Sequence, residues 1–190
     1  MADLSFAPSR RQDPLAGAAL PQGEGFSITA APEAARFILR GDVDDVPVFG
    51  PATPEKLRAS SRDGRVALWL GPDEFLLIAP GEDAQAVRSA LESGFETRPR
   101  SLVDVSHRQV GYVLEGALAA RCLSAGCPLD LRPATFPLGM VARTLFFKTE
   151  IILWRQARDR FHVEVWRSFA PYLTGHLAEA HAGTNGLQDQ

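Results

Sequence analysis

Apolar and polar residues alternate with a period of two in several short stretches of this chain and with a helical period in a few others. "FSITAAPEAARFILRG" predicts two β segments, 26–29 and 35–39, around a turn at Pro32. Residues 41–64 carry Gly41, Pro47, Gly50, Pro51 and Pro54 with few periodic apolar positions. They read as an irregular excursion with at most one helical turn near 55–58. "VALWLGPDEFLLIAP" predicts a β-hairpin turning at Gly71-Pro72-Asp73. In "GEDAQAVRSALESG", Asp83 is placed to cap a helix, Val87 and Leu91 repeat at i and i+4, and Gly94 suits a left-handed stop.

The order recurs. "IILWRQARDRFHVEVWRSFAPYLTGHLAEA" predicts strand, polar turn, strand and a helix capped by Ser168, with Phe169, Leu173 and Leu177 facing one way. Laid over the first hairpin, Leu68-Trp69 falls on Leu153-Trp154 and Phe75 on Phe161, with turns differing by one residue. Between these units, "RQVGYVLEG" is a strand with Val110, Tyr112 and Leu114 on one face. "ALAARCLSAG" is a helix ending at Gly126, and "GMVARTLFFK" is a further strand. The expected class is α+β: two similar lobes of largely antiparallel sheet with covering helices. The division is a flexible arm over 1–25, a first lobe over 26–100, a second over 101–182 and a flexible tail over 183–190.

Composition narrows the functional classes. With 190 residues, 45% of them apolar, the chain can bury a sizeable core. Twenty basic against 23 acidic residues give a net charge of −3, which directs it neither to nucleic acid nor to an anionic membrane surface. No secretory leader or membrane span is legible, and two cysteines fit a reducing compartment, so cytoplasmic residence is expected. Lys56 and Lys148 are the only lysines, which argues against Schiff-base chemistry.

Asp104, Ser106 and His107 in "VDVSH" look like a compressed catalytic triad. In an extended segment adjacent side chains point to opposite faces, so Ser106 cannot pass its proton to His107. Asp104 and Ser106 are expected to bond nearby backbone instead. Cys122 and Cys127 lack redox spacing and are expected to be buried. His176 and His181 stand five apart, off the spacing that aims two imidazoles at one metal, and His162 lies in a strand. No glycine-rich phosphate loop occurs, and the Arg98/Arg100 and Arg155/Arg158/Arg160 groups read as solvated faces. Trp69, Trp154 and Trp166 are expected in the core. No residue is assigned as catalytic, cofactor-binding or metal-ligating.

As a pattern, Asp104, Ser106, His107, Gly116, Ala117, Leu123 and Asp130 follow an order that resembles the folate-binding fold of aminomethyltransferases, the glycine-cleavage T-proteins. "ALWLGPDEFLLIAP", "VDVSHRQV", "LSAGCPLDL", "FPLGMVARTLF" and "VEVWRSFAPYL" together resemble the gamma-subunit family of heterotetrameric sarcosine oxidases, over about residues 26–180. The resemblance implies a structural, non-catalytic small subunit beside a large alpha subunit and beta and delta subunits. That complex demethylates sarcosine oxidatively to glycine and hydrogen peroxide, releasing methylene-tetrahydrofolate, or formaldehyde without folate. FAD, FMN, NAD and the tetrahydrofolate site are implied to lie in the other subunits.

By order, the transferase aspartate falls at Asp130, nine residues before Gly139. The K-G-C-Y-x-G-Q motif of stand-alone folate-binding relatives and the transferases' C-terminal barrel are missing from the pattern, so Asp130 is expected to be structural. The alternative is a stand-alone folate-binding enzyme or sensor using a pocket with Asp130 and Arg143. A generic interaction module is a third possibility.

Overall fold

The computed structural model describes Pro14, Phe49 and residues 20–41, 54–95 and 100–185. Eleven strands and three α-helices lie among them: β1 (Gln22–Gly23), β2 (Phe26–Ala30), β3 (Ala34–Arg40), β4 (Ala59–Arg62), β5 (Arg65–Gly71), β6 (Glu74–Pro80), α1 (Ala84–Gly94), β7 (Ser101–Asp104), β8 (Gln109–Glu115), α2 (Ala119–Ser124), β9 (Val141–Phe146), β10 (Thr149–Ala157), β11 (Arg160–Trp166) and α3 (Ala170–Asn185). Every pairing is antiparallel. The sheets run β4-β5-β6-β3-β7 and β1-β2-β8-β11-β10-β9. The fold is α+β, as expected.

The inner strands of both sheets place alternate side chains in two environments. Phe37, Leu39, Phe75 and Leu77 face α1 and meet Val87 and Leu91. Tyr112, Leu114, Phe161 and Val163 lie in one cluster with Cys122 and Leu123 of α2 and Leu173 and Leu177 of α3. The opposite faces, with Leu68, Leu76 and Ile78 from one sheet and Val141 and Ile152 from the other, form a third cluster between the sheets. Period-two patterning thus feeds three apolar layers.

Sheet membership does not follow the expected cut near residue 100. β2 pairs with β8 and sends Phe26 and Ile28 into the second core, while β7 pairs with β3 as an edge of the first sheet. The lobes exchange strands. Periodicity marks a strand but not its partner, which is why the chain order misled. The short β4 was also unread, because "ASSR" lacks apolar alternation and exists as a strand by pairing with β5. Most of the expected arm lies outside the described residues, as do 186–190, whereas α3 runs to Asn185 with Thr184 buried.

The internal repeat is closer than its sequence register suggested. Trp69 pairs with Phe75 and Arg155 with Phe161, each just before a bulge, and each turn leaves two residues between the strands. Arg155 therefore corresponds to Trp69, and Trp154 to Leu68. The one-residue slip would have turned every side chain to the wrong face. Around the pseudo-two-fold, Arg58 bridges Met140, Ala59 N–H donates to Gly139 O (3.1 Å) and Val141 N–H to Leu57 O (2.9 Å). Leu57 and Gly139, the matching positions, both have positive φ, 59° and 79°. These bonds join the two sheets edge to edge.

Helix ends differ from expectation in detail. Asp83 caps α1 by accepting from Ala86 N–H at 3.0 Å, but Gly94 stays helical and Phe95 (φ −97°) ends the helix. Ser168 sits inside a 3-10 turn, Arg167–Phe169, that makes no side-chain cap. Phe169 points outward and is 42% exposed, because the tighter turn rotates it off the Leu173/Leu177 face.

The "DVSH" segment is a clamp between lobes. Asp104 Oδ1 accepts from Ser106 N–H (2.9 Å), and Ser106 Oγ accepts from Arg36 N–H (2.8 Å). Ser106 is buried and His107 exposed, on a turn rather than an extended strand. The expected local bond is the one Asp104 makes, while Ser106 reaches backbone seventy positions away. We predict that Ser106→Ala lowers unfolding free energy by about 1–3 kcal/mol through the buried amide it strands. His107→Ala should stay within about 0.5 kcal/mol in the same urea titrations.

Candidate functional site

On β3, Ala34, Arg36 and Ile38 face the inter-sheet layer, and on β11 the same face carries His162 and Glu164. Arg36 Nε and Nη2 donate to Glu164 Oε2 and Oε1 at 2.8 and 3.0 Å, a two-point pair at 3% and 0% exposure. An ionised carboxylate only accepts, so His162 Nε2–H donates to Glu164 Oε1 at 2.8 Å. Burial alone would raise the Glu164 pKa. The Arg36 charge and the His162 bond outweigh it and hold the carboxyl below the ordinary range.

The room for this cluster comes from Gly111, which pairs with Glu164 across β8 and β11. A Cβ there would lie 2.7 Å from Glu164 Oε1 and 3.0 Å from Arg36 Nη2. Under the repeat, Gly111 corresponds to Arg36 and Glu164 to Ile78, since Arg36 pairs with Ile78. One half thus supplies a long cation and the other an empty position for it to enter. The cluster borders a cleft of about 360 Å³ between the sheets, walled by Val66, Ile78, Val113 and Trp154. Trp154 Nε1 is buried with no hydrogen-bond partner among the described residues. None of Arg36, Glu164 and Gly111 was singled out from sequence. The legible signal was a charge inside an apolar strand, in "AARFILR" and "FHVEVW".

Asp130 stands on the loop after α2. Its carboxylate accepts from Arg132 Nε and Nη2 (2.9 and 2.5 Å), Arg132 N–H (3.1 Å) and Thr135 Oγ1 (2.9 Å). The Arg132 side-chain bonds, then the backbone bond, hold its pKa far below the carboxylate range. Arg143, on β9, is tied instead to Glu74 of the other lobe at 2.6 Å. The two residues serve different partners. The same loop is fastened by Arg155, whose guanidinium donates to the carbonyls of Leu131 (3.1 Å), Phe136 (2.6 Å) and Arg158 (2.8 Å) and stacks on Phe161. Arg155 is 3% exposed, which corrects its reading as part of a solvated face; it occupies a helix-facing position where the first half has Trp69.

Cys122 and Cys127 are buried beside Thr184 and Thr144, and burial pushes the Cys122 thiol up. His181 packs on Phe26, and His176 lies between Phe147 and Tyr172. Trp69 and Trp154 are partly buried against apolar clusters. Trp166 is not in the core: it is 44% exposed under Arg108, at the last position of β11 where no layer covers it. Among the described residues no group of three His, Cys, Asp or Glu is placed to hold a metal. No helix among them is long and apolar enough to cross a membrane.

Removing one partner of the buried pair strands the other charge, so Glu164→Gln should cost about 3–5 kcal/mol at neutral pH. Because the folded carboxyl has the lowered pKa, its contribution is complete above the ordinary glutamate value of about 4.3 and declines as pH falls below it. The stability gap between native protein and Glu164→Gln should therefore narrow in denaturant titrations as pH is lowered. Gly111→Ala should destabilise by about 1–3 kcal/mol by overpacking the same space.

Residues 50–183 match the model of the sarcosine oxidase, gamma subunit family. The chain is 30% identical over 122 residues to the sarcosine oxidase subunit gamma of Corynebacterium sp. (strain P-1), covering 64% of this chain and 59% of that protein. It is 32% identical over 122 residues to that of strain U-96, covering 64% and 58%. The matched stretch thus spans somewhat under two thirds of these relatives. A chain of the heterotetrameric sarcosine oxidase from Corynebacterium sp. U-96, in complex with pyrrole 2-carboxylate, superposes with a TM-score of 0.81 at 26% identity, over 91% of this chain and 95% of that one. Aminomethyltransferase T of the glycine cleavage system from Bartonella henselae shares the fold, with a TM-score of 0.60 at 17% identity over 81% and 45%. With more than half of its length matched by the family model, the chain belongs to the sarcosine oxidase gamma subunit family.

Proposed function

We propose that this chain is an accessory, structural subunit of a heterotetrameric sarcosine oxidase, and that it binds and steadies larger partner subunits rather than carrying out chemistry. In this reading the complex demethylates sarcosine to glycine and hydrogen peroxide, yielding methylene-tetrahydrofolate or formaldehyde. Alpha, beta and delta subunits are its partners, FAD, FMN and NAD are held by them, and the assembly is cytoplasmic. The observation that carries the proposal is the superposition on a chain of a heterotetrameric enzyme over almost the full length of both.

The polar residues of the DVSH segment, the inter-sheet cluster and the Asp130 loop support the same reading, because they are engaged within the chain. Ser106 holds the Arg36 amide, Glu164 holds the Arg36 guanidinium, and Asp130 holds Arg132 and Thr135. A pterin pocket built from Asp130 and Arg143 would have to draw Arg143 away from Glu74, with which it pairs, and Asp130 away from Arg132.

Expressing the remaining subunits with and without this chain tests the proposal. Assembly yield and sarcosine-dependent peroxide production should both fall without it, whereas full assembly and turnover in its absence would overturn the structural role. Titrating the purified chain and Asp130→Ala with tetrahydrofolate tests the competing reading. Neither should bind; saturable binding lost in Asp130→Ala would replace the accessory role with a folate site.

A further inference from the structure

An open depression of about 350 Å³ lies beside the Asp130 loop, between α2 and the β10–β11 turn. Four arginines line it, Arg121, Arg132, Arg155 and Arg158, against Asp130 and Asp159. The local balance is positive on a chain whose net charge is −3.

The four arginines are not equivalent. Arg132 is matched by Asp130. Arg155 is buried, and its bonds go to carbonyl oxygens, with no carboxylate in salt-bridge reach among the described residues. Its charge is therefore only partly offset and adds to the potential above it. Arg121 and Arg158 are exposed, and neither guanidinium has a hydrogen bond or ion pair with a described residue. Two free forked donors thus stand over a fixed positive floor, an arrangement suited to carboxylates.

Openness argues for a macromolecular occupant. Small-molecule sites enclose most of their ligand, yet Arg132 at the rim is 81% exposed. We propose that this depression is the docking surface for an acidic segment of a partner subunit, with Arg121 and Arg158 taking its carboxylates and Arg155 fixing the loop that shapes it. This rests on the subunit reading above.

The test measures association of the purified full chain with the remaining subunits across ionic strength, for native protein, Arg121→Glu/Arg158→Glu and a control, Lys56→Glu/Arg62→Glu, with the same change in net charge away from the depression. Thermal melts check that the variants fold, and Arg121→Gln/Arg158→Gln gives a milder series. At low salt the double reversal should slow association by about tenfold or more, the glutamine pair should slow it less, and added salt should erase the differences, with the control tracking native protein. Equal rates for native and reversed chains, or equal slowing by the control, overturns the docking surface and leaves the accessory role intact. A native chain that does not associate at any salt overturns the accessory role itself, and this inference with it.

Discussion

Burying a guanidinium and a carboxylate between two sheets is costly unless each satisfies the other with good geometry. Arg36 and Glu164 meet that condition, and they come from different sheets, so the pair sets the distance and rotation of one lobe relative to the other. Much of the inter-lobe structure follows from it. Gly111 is empty so that the guanidinium can enter, His162 closes the free side of the carboxylate, and Ser106 holds the backbone from which Arg36 projects. An apolar replacement could fill the same volume, but it would not report a register error as sharply, because a slipped strand would leave two buried charges unpaired.

The fold is shared with an aminomethyltransferase, and what sets the described polar side chains apart is where they go. In a catalytic site, titratable groups converge on a space that a substrate can enter. Here the titratable groups of Asp130, Glu164 and Arg155 are met by neighbours inside the chain, and they hold a loop or a lobe in place. What remains outward-facing is charge and a few exposed apolar side chains, the ingredients of recognition between proteins.

Hairpins and α1 were legible in the sequence because their signals are local: a turn dipeptide, a cap, an i and i+4 repeat. The strand exchange was not, since nothing in "FSITA" names β8, more than eighty positions away, as its neighbour. The internal repeat was visible, but its register was not, because Leu-Trp at both places invited a match one residue off; the bulges before each turn settle it. At the inter-lobe cluster, Arg36 and Glu164 could have been flagged as charges in apolar strands, yet only the tertiary pairing identifies them as partners. Asp104 and Ser106 were read as backbone-bonding residues from turn chemistry, and the long reach of Ser106 to Arg36 lay beyond any local rule.

The exchanged strands also order the events of synthesis. β2 leaves the ribosome early, but its pairing partner arrives only with Leu114, and the outer strand of the first sheet arrives only with Ser101–Asp104. Neither sheet can be completed while only the first hundred residues exist. Until then, Phe26 and Ile28 have no core to enter, and the nascent chain must keep them in solution. A chain cut near residue 100 would hold four strands of one sheet but only β1 and β2 of the other, so the second core could not close over Phe26 and Ile28 until the later strands arrived.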